Sequence, residues 1–199
     1  MMLDIELIRN RLAAHRPIQI HRAIDRHAAV AMLLRKCGRE TEILFIRRAE
    51  HDRDPWSGDL GFPGGRIESH DATPQAAAER ETHEEIGLCL DQDNYLGQSD
   101  DLVGAYLSIR VSCFIYSVES DARFNLNHEV VDYFWVPLAT LLDPQRNQRV
   151  SFAYRGKERE HPVIHLAEWS ERPLWGITYR LIDNFLNLFD LSFTYSERL

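Results

Sequence analysis

The order of apolar patterns along this chain predicts a mixed α/β architecture in packed layers rather than a doubly wound parallel sheet. Three observations lead there. Strand-like and helix-like stretches are interspersed without regular strand–helix–strand spacing. One short helix in the first half is capped at both ends, and the chain closes with an amphipathic helix whose apolar stripe must be covered. With 199 residues, 44% of them hydrophobic and 27% charged, there is material for one core but hardly for two. Residues 1–199 are therefore read as a single domain, with a helical extension over 1–26, a core over 27–145 and a C-terminal hairpin and helix over 146–199.

The elements follow in order. Asp4 to His15 carries Ile5, Ile8, Leu12 and Ala13 near helical spacing, and Pro17 ends the pattern. His27 to Leu34 and Glu42 to Ile46 flank Lys36-Cys37-Gly38-Arg39, the pattern of a two-stranded hairpin. Asp54 to Gly65 is too interrupted by Gly and Pro for any regular element. From Thr73 a helix is well marked: Thr73 caps it, Pro74 suits its first position, and Gly87 closes it with a left-handed turn. Beyond it, Tyr95-Leu96-Gly97, Val111 to Val118 and Val130 to Val136 read as strands, and Pro137 to Leu142 as a helical turn or two. Phe152 to Tyr154 and Val163 to Leu166 form a late hairpin. The helix Trp175 to Phe189 presents Ile177, Leu181, Ile182, Phe185, Leu188 and Phe189 on one face.

Composition narrows the function. A net charge of −8 argues against a general nucleic-acid binder, which needs a concentrated basic surface. An acidic protein acting on an acidic substrate must recruit cations, as placed arginines or as bound metal. Cys37, Cys89 and Cys113 lack CxxC spacing, so neither a disulfide framework nor a zinc ribbon is signalled. No export signal opens the sequence and no apolar run is long enough for a bilayer, so a soluble cytoplasmic chain without a membrane partner is expected.

The chemistry-bearing stretch is Arg80-Glu81-Thr82-His83-Glu84-Glu85-Ile86-Gly87-Leu88. Glu81, Glu84 and Glu85 stand at i, i+3 and i+4 and share one helix face, beside an inward stripe of Ala78, Thr82 and Ile86. Three crowded carboxylates repel one another unless a cation sits among them, and hard oxygen ligands suit Mg²⁺ or Mn²⁺. Alone, such a glutamate-rich face is most often simply solvated. Upstream lies Gly61-Phe62-Pro63-Gly64-Gly65, whose glycines permit close backbone approach, so that a carbonyl can reach a metal and amides can reach phosphate oxygens.

The stretch from Gly65 to Leu88 resembles the Nudix box. Its second half matches at every charged position and at Gly87-Leu88. In its first half Asp71 stands where the box has glutamate and eight residues rather than seven separate Asp71 from Arg80; in its second half Thr82 replaces an aliphatic residue. The chain is most similar to the coenzyme A pyrophosphatase branch, through Leu44-Phe45-Ile46-Arg47-Arg48-Ala49, Arg53, Gly58, Phe62-Pro63-Gly64-Gly65, Glu68 and Trp175-Gly176-Ile177-Thr178, with one extra residue between Arg48 and Gly58. The resemblance implies an α/β/α sandwich with a mixed sheet between helices. It also implies metal-dependent hydrolysis of the pyrophosphate linkage in a nucleoside diphosphate derivative, coenzyme A foremost. ADP-ribose, dinucleoside polyphosphates and (d)NTPs are the competing substrates, and a non-catalytic nucleotide-sensing module is the competing class. The implied partner is a small nucleotide-type molecule, with homodimerisation left open.

The residue roles are then as follows. Glu81, Glu85 and Glu84, with the Gly65 carbonyl, hold Mg²⁺ or Mn²⁺. Glu84 and Arg80 belong to the catalytic group, Arg80 orienting a glutamate, against a plain surface pair with Glu84. Glu129 is a candidate general base, or else a solvated strand-edge charge. Arg47, Arg48 and Arg53 hold phosphates or are merely solvated, and Phe62 and Gly64 line the substrate site. His83 points about half a turn away from Glu81 and is read as structural. Trp56 and Trp175 either stack on adenine or belong to the core.

Overall fold

The computed structural model describes residues 3–21, 24, 26–51, 56–105, 107–154 and 156–194. Helix α1 (Ile5–Ala14) begins at Asp4, whose carboxylate accepts the Leu7 N–H at 2.8 Å, and it buries Ile8 and Leu12 as their spacing predicts. Strands β1 (Arg26–Cys37) and β2 (Glu40–Arg48) form the expected hairpin, turning at Gly38 with φ of 61°. Both run beyond their apolar cores, because backbone pairing continues through the charged residues near the turn.

The hairpin splays, and the splay builds the site. β1 pairs with β2 only from Leu34 to Cys37; nearer its start it pairs with β4 (Gly64–Arg66), while β2 pairs with β3 (Leu60–Gly61). The glycine-rich stretch, expected to hold no regular element, thus carries two short strands wedged between β1 and β2. Their pairing partners come from distant sequence, so no local pattern announces them. Gly64, with φ of 149°, is required there: a Cβ would collide with the Ala29 carbonyl oxygen.

The other edge of β1 runs parallel to β7 (Ile109–Ser117), which also pairs with β5 (Tyr95–Gln98) and β6 (Leu102–Val103). β8 (Val130–Pro137) covers the outer edge of β2 and leads into the short helix α3 (Leu138–Leu141). The result is an eight-stranded mixed sheet. Alternation along β1 loads both of its faces. Ala29, Ala31 and Leu33, with Leu44 and Ile46, meet Ala77, Ala78 and Ile86 of α2 (Pro74–Ile86). Met32 and Leu34, with Phe45, pack in the cluster that contains Ile8 and Leu12 of α1 and Leu181, Ile182 and Phe185 of α4 (Gly176–Asn187). Each fully buried Leu, Ile or Phe is worth about 1.5–3 kcal/mol, so the helices are held by these stripes. The sheet lies between helices, as expected.

A second, three-stranded antiparallel sheet follows, made of β9 (Asn147–Tyr154), β10 (Lys157–Ile164) and β11 (Leu174–Trp175). It contains the late hairpin, but with longer strands paired from Tyr154↔Lys157 to Asn147↔Ile164. β6 and β11, of two residues each, are too short for periodicity to reveal. Among the described residues no helix is long and apolar enough to cross a membrane.

Candidate active site

Local sequence explains the acid helix. Thr73 Oγ1 accepts the Ala76 N–H at 3.0 Å, Pro74 opens the first turn, and Gly87 closes α2 at φ of 71° with its N–H on the His83 carbonyl. Ala78, Thr82 and Ile86 are fully buried. Thr82 tolerates the position of an aliphatic residue because its hydroxyl donates to the Ala78 carbonyl at 2.7 Å, leaving only its methyl to pack. His83 is exposed on the flank away from the acids.

The three glutamates occupy different depths. Glu85 is 1% exposed. Its Oε2 accepts the Gly64 N–H at 2.9 Å and its Oε1 lies 3.4 Å from Arg48 Nη1. Burial pushes its carboxyl up to about 8, against the Gly64 and Arg48 contacts and with help from the charges of Glu81 and Glu129. Glu81 is half-buried and is raised first by burial, then by Glu84 and Glu129, while Arg80 opposes. Glu84 stands out, its side chain 54% exposed.

Arg80 is the hub of this cluster. Its Nε and Nη2 grip Asp71 at 2.9 and 3.0 Å, its Nη1 reaches Glu81 at 3.0 Å and Glu84 at 3.1 Å, and Nη2 also donates to the Arg66 carbonyl at 3.2 Å. One guanidinium nitrogen of Arg80 thus contacts both Glu81 and Glu84. Asp71, held at about 2 chiefly by Arg80, places both oxygens on that guanidinium.

The other candidates separate. Gly65 sits under Glu81, where a Cβ would lie 2.5 Å from the carboxyl carbon. Arg48 turns toward Glu85, whereas Arg47, its side chain 43% exposed, faces Asp132 at 4.0 Å and stays away from the acids. As consecutive residues of β2 they face opposite sides of the sheet, Arg48 on the α2 face with Leu44 and Ile46, Arg47 on the face of Phe45. Phe62 is buried and stacked on Phe45 at 5.5 Å, so it is a core residue that also lines the cleft. Glu129 is exposed at the start of β8, its carbonyl accepting the Ala49 N–H at 2.7 Å, and its charge is felt by both Glu81 and Glu85. Arg53 lies outside the described residues.

A divalent cation fits this donor chemistry. Glu81 and Glu85 are both raised by burial and by neighbouring carboxylates, and a hard cation offsets that excess charge. Among the described residues no three acidic, His or Cys side chains already stand closed as a ligand set. Arg80 bridges Glu81 and Glu84 in that space.

A cleft of about 460 Å³ opens beside Gly64, Gly65 and Arg48 and runs to Tyr154, His161 and Trp175. Of these residues the sequence pattern flags Trp175 and misses Tyr154 and His161, whose strands are remote from the acid helix. Asp59, which also lines the cleft, is missed as well.

A model of the NUDIX domain matches residues 25–155. A probable nudix hydrolase of Schizosaccharomyces pombe is 29% identical over 163 residues, 81% of this chain and 55% of that protein. The chain spans about half the length of the first curated relatives it matches. An uncharacterized Nudix hydrolase, NudL, of Enterobacter sp. is 25% identical over 181 residues, 90% of this chain and 92% of that protein. Among solved structures, a MutT/nudix family protein from Enterococcus faecalis superposes with a TM-score of 0.58 at 13% identity, covering 93% of this chain and 69% of that one. The NUDIX domain of Shewanella oneidensis NrtR, complexed with ADP ribose, gives 0.50 at 20% identity, covering 67% and 84%. These two likenesses concern the fold.

Proposed function

The chain belongs to the Nudix family, and on that premise we propose that it hydrolyses the diphosphate linkage of a nucleoside diphosphate derivative, with coenzyme A or its derivatives preferred. The observation that carries the reading is the contact of buried Glu85 with Gly64, with Glu81 over Gly65, both glycines lining a cleft of about 460 Å³.

Glu81, Glu85 and Glu84, with the Gly65 carbonyl, are the residues that would hold Mg²⁺ or Mn²⁺. When bound, such a cation supplies polarisation of the phosphate and a lowered pKa for water. The remaining work falls to this chain's side chains. Arg80 holds Glu81 and Glu84 on one guanidinium nitrogen. Arg48, at the cleft and beside Glu85, neutralises phosphate oxygens. Glu129 accepts the proton of the attacking water from the open side. Gly64 and Phe62 form the wall against which the substrate lies. Cleavage of coenzyme A in this way releases a 4′-phosphopantetheine fragment and adenosine 3′,5′-bisphosphate. The preference for coenzyme A rests on the wording of the sequence around Arg47-Arg48 and Phe62-Pro63-Gly64-Gly65. The cytoplasm is the proposed compartment, in keeping with three cysteines that are all free thiols.

The test is a hydrolysis panel with Mg²⁺ or Mn²⁺ containing coenzyme A, ADP-ribose, diadenosine polyphosphates and (d)NTPs. Coenzyme A should give the highest kcat/KM. Preference for another member overturns the substrate assignment, and no hydrolysis of any member overturns the activity.

A further inference from the structure

We infer that Trp175 is the platform on which the substrate's nucleobase stacks, and that Asp59 is the positioning residue that fixes its ring. This rests on the reading of the cleft as a nucleotide site. The indole Nε1–H donates to Asp59 Oδ1 at 3.1 Å, tying the start of α4 to the residue before β3. Phe152, Tyr154 and His161 meet the indole at 4.9, 5.1 and 5.3 Å with interplanar angles of 85°, 78° and 76°. All three ring planes stand steeply to the indole and brace it, and none of the three is stacked parallel on it.

Trp175 is only half-buried and lines the same cleft as Gly64 and Gly65. Gly176, which follows it, also lines the cleft and has open space where a side chain would stand. An aromatic ring fixed by a hydrogen bond and a ring cluster, yet open to a cleft, has lost its rotational freedom before any ligand arrives. The ligand group that gains most from such a surface is flat and π-faced, and a nucleobase is that group. A flexible pantetheine arm has no face to match it. The base therefore lies toward the small sheet, and the diphosphate toward the glycines.

The experiment is calorimetric titration of adenosine 5′-monophosphate into the full chain, with ribose 5-phosphate as the control lacking a base. Trp175→Ala should weaken the monophosphate about tenfold or more, the scale of one lost base–aromatic stack, and leave ribose 5-phosphate unchanged. Trp175→Phe should stay within about threefold of the parent. Asp59→Ala should lose several-fold, and Asp59→Asn, whose amide oxygen still accepts the indole N–H, should recover it. In the unmodified protein, nuclear Overhauser effects should connect the indole protons to purine H2 or H8, a measurement independent of how any variant folds. Unchanged affinity in a folded Trp175→Ala protein, equal losses for both ligands, or effects that connect the purine to other residues overturn the inference. A chain that stacks the base on Trp175 but hydrolyses no diphosphate keeps this inference and loses the proposed activity; hydrolysis with no base at Trp175 does the reverse.

Discussion

The acid cluster beside the cleft is built from one short stretch, Gly64 to Glu85, while at the cleft's aromatic end Asp59 and Trp175 meet across 116 residues of chain, with Phe152, Tyr154 and His161 joining from two further strands. The acidic end is written in helical spacing and capping, which act over a few residues. The aromatic end exists only once the small sheet has formed. Placing charge and choosing a ligand are thus separate structural tasks here, and substitutions should separate them too.

The sharpest break of that comparison is Glu85→Gln. Turnover should fall by about a thousandfold or more, within the range of removing an essential acid–base or charge-bearing group, while adenosine monophosphate binding persists. Loss of both would mean that the two ends are not independent. Arg80→Lys should cost about a hundredfold in kcat, because an ammonium cannot grip Asp71 with two donors and still bridge Glu81 and Glu84; rates near those of the parent would show the fork to be dispensable. Arg48→Gln should raise KM about tenfold and Arg47→Gln less than twofold, since only Arg48 reaches Glu85 and the cleft. Equal effects would remove the distinction between the two faces of β2.

Stability against pH sharpens the acidic end further. Glu85 is raised from 4.5 to about 8, so the folded metal-free protein holds a proton that the unfolded chain gives up. This contribution is fully present below about 4.5 and is lost as pH rises through about 8, on the order of a few kcal/mol. Thermal melts in EDTA should therefore drop by several degrees between pH 5 and 8.5, and Glu85→Gln should flatten that slope. Asp71 works the other way: held at about 2, it stabilises above its ordinary value of 3.8 and its contribution disappears as pH falls through about 2. A melting temperature independent of pH from 5 to 8.5 would contradict the buried state of Glu85.

Legibility followed sequence distance. Helix α2, its caps and the inward Ala78-Thr82-Ile86 stripe were readable because each depends on neighbours within four residues. The two-layered burial of β1 was visible only as an apolar run, since a strand covered on both faces loses its alternation. β3 and β4 were invisible, because β1 and β2 provide their partners. The Arg80–Asp71 grip spans nine residues and a loop whose path no periodicity encodes. Arg47 and Arg48 differ by the face of β2 they occupy, and which face meets the acid helix is decided only when α2 packs on the sheet. Tyr154, His161 and Asp59 carried no signal at all, being ordinary residues in ordinary strands or turns until the fold gathered them.

The wedge between β1 and β2 has a dynamic consequence. Glycine-rich segments generally lie at the low-stability end of local opening, yet this one is tied on every side: Ala31 N–H to Pro63 at 2.8 Å, Gly64 N–H to Glu85 at 2.9 Å, Ile67 N–H to His27 at 3.0 Å, and Gly61 in register with Ile46. Its amides should trade deuterium as slowly as those of the central strands, opening only when the whole domain does. A water molecule presented by this bend would meet a surface already rigid, and the cost of arranging it is met during folding rather than in each turnover.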